Sequence, residues 1–90
     1  MKITIAIPSY NKEKYIRRCI ESALVEKKHI TKIILVDNYS TDSTFAIAKE
    51  YKPDIECYQN ETNLGMAMNW NRCIDLCDTE WLLILHADDE

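Results

Sequence analysis

Two carboxylates, Asp88 and Asp89, stand directly behind the apolar run Trp81–Leu85, with His86 at the join. Mg²⁺ and Mn²⁺ favour hard oxygen ligands, bind through one or two carboxylates, and share substrate phosphates in their remaining positions. A second acidic loop, Asp37-Asn38-Tyr39-Ser40-Thr41-Asp42, follows the apolar run Ile33–Val36, and a polar cluster, Pro8-Ser9-Tyr10-Asn11, follows Ile3–Ile7. If these runs are parallel strands, all three clusters lie along the carboxyl edge of one sheet, where open α/β folds bind ligands. A nucleotide and a divalent metal are the chemistry such a convergence suggests.

The usual glycine-rich phosphate cradles are excluded. Gly65 is the only glycine in the chain, so neither G-x-G-x-x-G nor G-x-x-x-x-G-K-[ST] can be written. Diphosphate charge would have to be met by a metal instead, and the Asp88-Asp89 pair is placed to hold one.

The elements that must position these residues follow from the apolar pattern. Residues 2–7 read as a strand rich in β-branched side chains. Asn11 is suited to cap the following helix, in which Tyr15, Ile16, Cys19, Ile20, Ala23 and Leu24 recur at helical spacing. Lys14, Arg17, Arg18 and Glu21 fill the opposite, solvated face. A second strand over 31–36 carries the unbroken apolar run of a strand covered on both faces. Ser40 or Asp42 caps the next helix, where Phe45, Ala48 and Tyr51 face inward, and Pro53 ends it. A short strand over 55–58 comes next, then a helix capped by Asn63 with Met66, Trp70, Cys73, Ile74 and Cys77 on one face. Trp70 and the Met66/Cys73 stripe read as core. A strand over 80–85 completes the order β-α-β-α-β-α-β. That order specifies an α/β fold: a Rossmann-like parallel sheet with flanking helices and right-handed crossovers.

Length and charge narrow the function classes. Ninety residues make at most one domain. Eleven basic against fifteen acidic residues give a net charge of −4, and the pI is near 5.1. That argues against nucleic acid, which asks for a basic stripe. No apolar stretch approaches the roughly 18 residues of a transmembrane span, and the amino terminus opens a strand rather than a signal peptide. A cytoplasmic location is therefore expected, with Cys19, Cys57, Cys73 and Cys77 reduced and mostly buried as small hydrophobes. His29 reads as a surface residue.

These residues resemble the amino-terminal half of family 2 glycosyltransferases, which have the GT-A fold, over essentially the whole chain. Ile5-Ala6-Ile7-Pro8-Ser9-Tyr10-Asn11 is similar to the family's opening strand and P-[TS]-Y-N turn. Val36-Asp37-Asn38-Tyr39-Ser40-Thr41-Asp42 is similar to its V-D-[DN]-x-S-x-D loop. Asn63-Leu64-Gly65 with Asn71-Arg72 resembles its N-L-G segment and following helix, and Leu85-His86-Ala87-Asp88-Asp89 falls where the family has its D-x-D region. The resemblance implies a site for a nucleotide-diphosphate sugar, most simply a UDP-sugar, formed by Pro8, Ser9, Tyr10, Asn11, Asp37, Asn38, Asn63, Gly65, Arg72, His86 and Asp88. Asp37 would accept a hydrogen bond from the base, and Pro8 and Tyr10 would wall it. Arg72 would neutralise phosphate or orient Asp37. Asp88, with His86, would hold the Mg²⁺ or Mn²⁺ that bridges the diphosphate; His86 could instead hydrogen-bond a phosphate or ribose. The chain departs from the family where His86 replaces a common Asp, Tyr39 a common Gly, and Trp70 a common Arg. At position 39 the backbone freedom would be supplied by the neighbouring Asn38.

The resemblance places the catalytic base in an acceptor-binding half beyond residue 90. The expectation is thus an incomplete domain, 1–90, that binds donor and by itself turns over little or nothing, since holding one reactant forgoes most of the proximity effect. The acceptor, a glycan or lipid hydroxyl, is not specified. Two other classes compete. A non-catalytic nucleotide-binding or interaction remnant would share every motif. A phosphorylation receiver would need a phosphoacceptor Asp after the third strand, where Tyr58-Gln59-Asn60 stand instead.

Overall fold

The computed structural model describes residues 2–26 and 29–87. Its elements alternate as β1 (Ile3–Ser9), α1 (Ile16–Val25), β2 (Lys32–Asp37), α2 (Thr44–Lys49), β3 (Glu56–Gln59), α3 (Met66–Leu76) and β4 (Trp81–Ile84). The four strands are all parallel and stand in the order β3-β2-β1-β4. The expected α/β architecture is present, with helices on both faces of the sheet.

Each apolar run is continuous because both faces of the central strands are covered. Ile5, Ile7, Ile33 and Leu35 point to the side of α1 and α2, where they meet Ile16, Cys19, Ile20, Ala23 and Ala48. Ala6, Ile34 and Val36 point to the other side, where Cys73 of α3 closes over them. The expected stripe of α1 is the observed one.

Pro8 and Ser9 belong to β1 rather than to the turn after it, in register with Val36 and Asp37 of β2. A proline inside a central strand would normally break a ladder bond. Here Ala6 gives its carbonyl to the Leu85 amide, so alternation places the Pro8 nitrogen on the same β4 side. The β4 pairing ends at Ala6↔Ile84, and the missing N–H interrupts nothing.

The helix starts differ from expectation. Tyr15 occupies the cap position of α1 and Gly65 that of α3, neither with a side-chain cap bond. Asn11 instead takes a left-handed conformation (φ 52°) and accepts from the Thr41 amide at 2.8 Å. Asn63 accepts from the Gly65 amide at 2.8 Å, bending the chain into α3. Gly65 has φ 85°, a conformation L side chains rarely adopt, and that is where this chain spends its one glycine. Ser43, and neither Ser40 nor Asp42, holds the cap position of α2, again without a side-chain cap bond; Asp42, one residue before it, accepts from the Thr44 amide at 2.9 Å. Partial burial pushes against its ionisation, yet the Thr44 hydroxyl and amide and the Glu13 amide prevail and hold Asp42 below the usual carboxylate range.

The left-handed residue of the β2–α2 loop is Tyr39 itself (φ 65°), not Asn38. Asn38 is committed to hydrogen bonds that fix its backbone, so the turn falls one residue later. Left-handed geometry costs an L residue roughly 1–2 kcal/mol, and the Tyr39 side chain is half exposed. Tyr39→Gly should therefore raise stability by about 1 kcal/mol, after glycine's own entropic cost. Urea unfolding should show a higher midpoint at unchanged slope. A lower midpoint would mean that the Tyr39 ring makes compensating contacts.

Candidate functional site

The order of the strands decides where the site opens. From β1 the chain moves through β2 to β3 in one direction, then α3 returns it across the sheet to β4 on the far side of β1. The switch point lies between β1 and β4, and the loops leaving those strands diverge into a crevice. A cleft of about 350 Å³ occupies this position, a size suited to a small ligand. Pro8, Ser9, Tyr10 and Lys12 line it from β1 and its following loop, and Asn38 from the end of β2. Asn63, Gly65, Met66, Asn69 and Trp70 line it from α3 and its approach, and His86 and Ala87 from behind β4.

Of the expected site residues, Pro8, Ser9, Tyr10, Asn38, Asn63, Gly65 and His86 thus meet around one cleft. Asn11, Asp37 and Arg72 stand outside its lining. Asp88 lies outside the described residues.

Asp37 is fully buried, and its carboxylate is occupied by its own loops. Oδ2 accepts from the Ser40 amide at 2.8 Å and from Gln59 Nε2 at 3.1 Å. Oδ1 accepts from the Ser40 hydroxyl and, at 3.4 Å, from that of Ser9. The Ser40 hydroxyl in turn accepts from the Asn11 amide at 2.9 Å. Asp37 therefore joins the ends of β1, β2 and β3 beneath the cleft floor. The two loops are laced further by bonds from the Glu13 amide to Asp42 and from the Ser43 amide to Glu13.

A second buried network holds the α3 side. Asn60 donates to Asn38 Oδ1 at 2.9 Å and to Asn69 Oδ1 at 2.7 Å, and accepts from Arg72 Nε at 3.0 Å. Asn38 also accepts from the Leu64 amide at 2.9 Å and donates to Asn63 Oδ1 at 2.8 Å. Asn69 donates to the Val36 carbonyl at 3.1 Å. Asn38, Asn60 and Asn69 are all buried, and no buried side-chain polar atom among the described residues lacks a partner. Arg72 orients this network, not Asp37, and beyond it borders a separate shallow concavity with Gln59 and Glu61.

The inward stripe of α3 is accordingly Asn69 and Cys73. Met66 and Trp70, expected in the core, are 71% and 38% exposed and line the cleft. The reason is register: burying the polar Asn69 against the end of β2 rotates the apolar residues on either side of it toward the crevice. The Trp70 ring meets His86 at a centroid distance of 5.2 Å, tilted by 50°, within the range of favourable aromatic contact.

Lys12 is the one permanently charged side chain among the described lining residues, and no described acid pairs with it. No lining residue there is acidic, so the described part of the cleft offers a cation, amides and aromatic surface, and no carboxylate base. Sequence reasoning missed Lys12, Met66, Asn69 and Trp70. The departure of Trp70 from the family pattern was the one available signal.

The described residues contain no group of three or more His, Cys, Asp or Glu side chains able to hold a metal. No disulfide joins any of the four cysteines. Cys77 lies at the α3 C-cap in extended backbone, off the helical face it was expected to share with Cys73. Burial pushes the Cys73 thiol up to about 11, which leaves it protonated and inert at neutral pH. No helix of the described residues is long and apolar enough to cross a membrane.

Comparison with known proteins gives concordant matches. The model of the family described as glycosyl transferase family 2 matches residues 4–90. The SPbeta prophage-derived glycosyltransferase SunS of Bacillus subtilis is 33% identical over 87 residues, covering 97% of this chain and 20% of that protein. The crystal structure of S. aureus TarS 1-349 in complex with UDP-GlcNAc superposes with a TM-score of 0.86 at 30% identity, covering 98% of this chain and 27% of that one. The mannosyltransferase PcManGT from Pyrobaculum calidifontis, in complex with GDP-Man and Mn²⁺, shares the fold, with a TM-score of 0.83 at 22% identity over 96% of this chain and 27% of its own. The chain thus spans about a quarter or less of the length of these relatives.

Proposed function

This chain belongs to glycosyl transferase family 2, and on that premise we propose that its cleft binds the nucleoside-diphosphate part of a sugar-nucleotide donor for transfer of the sugar to an acceptor hydroxyl. The observation that carries this reading is the cleft at the β1/β4 switch point, which gathers most of the residues that the family resemblance assigns to the donor. The TarS structure holding UDP-GlcNAc, superposable over nearly the whole chain, supports a UDP-sugar as the donor.

His86 and Asp88 would hold a divalent cation. His86 lines the cleft, and an imidazole beside a carboxylate is a donor set better suited to Mn²⁺ than to Mg²⁺; a relative of the same fold is described with Mn²⁺. Such a cation would act as a Lewis acid toward the departing diphosphate. The chain's own described residues do the rest: Pro8 and Tyr10 wall the base, and Lys12 supplies positive charge for phosphate. With no carboxylate in the described lining, and with the His86 lone pair taken by the cation, the described lining leaves no group to accept the acceptor's proton. Residues 1–90 are in this reading a donor-binding segment without turnover of their own.

Titration of the ¹⁵N-labelled chain with UDP, with and without Mg²⁺ or Mn²⁺, tests the proposal. Expected are dispersed signals whose shifts cluster at residues 8–12, 63–70 and 86–87, with Mn²⁺ broadening centred on His86 only when UDP is present. Shifts that ignore UDP at millimolar concentration would sink the donor reading and favour a non-catalytic interaction module. Mn²⁺ broadening elsewhere, or none, would remove the metal assignment.

A further inference from the structure

Trp70 and Tyr10 give the cleft an aromatic ring from each of two separate elements, α3 and the β1–α1 loop. Trp70 is 38% exposed and Tyr10 40%, although large aromatic rings are usually drawn into a core when one is within reach. Trp70 is also held. Asn69, its neighbour in sequence, is anchored to the Val36 carbonyl and to Asn60, and the His86 ring lies against the indole at 5.2 Å. A ring fixed by its backbone anchor and by an aromatic neighbour, yet left partly open toward a cleft, is pre-organised for a planar ligand.

The polar group expected to read the base is meanwhile withdrawn. Asp37 is fully buried and accepts from Ser9, Ser40 and Gln59. The amides of Asn38 and Asn69 are likewise engaged in protein hydrogen bonds. Aromatic surface on Trp70 and Tyr10, by contrast, is partly open to the cleft.

From this we propose that Trp70 determines nucleotide recognition in this chain, and that the nucleobase is bound chiefly by stacking on its indole and only weakly by hydrogen bonding. The inference rests on the donor-site reading above and adds two properties to it. Affinity should depend on an aromatic ring at position 70, and discrimination between bases should be shallow, because every base presents a π-face.

The experiment is calorimetric titration of UDP, GDP, UDP-GlcNAc and inorganic pyrophosphate into the wild-type chain, Trp70→Ala and Trp70→Phe, with NMR dispersion confirming that each is folded. The wild type should bind UDP and GDP within about fivefold of each other. Trp70→Ala should lose roughly tenfold for UDP, GDP and UDP-GlcNAc alike, the lower part of the range for base–aromatic stacking, and nothing for pyrophosphate. Trp70→Phe should recover most of that loss. In a Trp81→Phe background, UDP should also quench the remaining indole emission.

Equal affinity of Trp70→Ala and wild type for UDP overturns the proposal while the donor site stands. A loss confined to UDP-GlcNAc would move Trp70 to the sugar and overturn it too, as would a strong preference for one base that survives Trp70→Ala. A wild-type chain that binds none of the nucleotides overturns the donor reading, and this inference with it.

Discussion

Asp37→Ala is expected to cost about 3 kcal/mol, a large share of the chain's stability, and to leave it folded but markedly weakened at room temperature. The carboxylate accepts from the Ser40 amide and hydroxyl, from Gln59 and from Ser9, with no exposed surface of its own. Its removal strands the buried Ser9 hydroxyl and the half-buried Ser40 amide and hydroxyl, while the exposed Gln59 turns to water; each buried donor without a partner costs about 1–3 kcal/mol. Some would recover by rotating or by admitting water, which keeps the total below the sum. A domain of this size has roughly 5–10 kcal/mol in all. Asp37→Asn keeps one acceptor oxygen and sets an amide against a donor, so about half the loss is expected. Urea unfolding of the three proteins measures this directly. If Asp37→Ala unfolds with the wild type but no longer binds UDP, the carboxylate is a ligand group and the clasp described above is wrong.

Asn60→Leu should cost about 3 kcal/mol and, unlike the loss at Asp37, should be felt mainly on one side of the cleft. Asn60 uses its whole amide, giving two hydrogen bonds to Asn38 and Asn69 and taking one from Arg72. Leucine has the same branched skeleton and is somewhat bulkier, so none of the cost is a cavity. The loss comes from Asn38, Asn69 and Arg72 left with unmatched groups in a low-dielectric site. Because Asn38 also fixes the Leu64 amide and Asn63, the approach to α3 should loosen, and amide exchange should rise at residues 63–70 while β1 keeps its protection. A double-mutant cycle with Asn38→Ala should give a coupling of at least 1 kcal/mol, as for groups in one network. Additive losses would show that the asparagines act separately.

How far the residues announce this arrangement can be judged element by element. The runs at Ile5–Ile7 and Ile33–Val36 could only be buried strands, because nothing polar interrupts them for solvent to meet. The stripe of α1 was equally plain, since Ile16, Cys19, Ile20 and Ala23 recur at helical spacing and polar residues fill the rest. Local pattern also located the polar clusters at the ends of strands, and hence the edge where the cleft opens. The family motifs named most of its lining.

Local pattern failed where a polar residue goes inward. Asn69 and Asn60 are buried because each finds a partner on an element distant in the chain. No periodicity of apolar residues registers such a bond. Burying Asn69 turned α3 and carried Met66 and Trp70 from the expected core to the cleft. Asp37, an acid at a strand end, looked free to meet a ligand until the folded loops supplied donors from Ser9, Ser40 and Gln59. The sequence by itself determined the strands, their crossovers and the edge that carries the site, since hydrophobic periodicity is local and additive. Which polar groups face the cleft and which are spent holding it was decided by the tertiary structure alone, because hydrogen bonds between distant loops exist only once those loops have met.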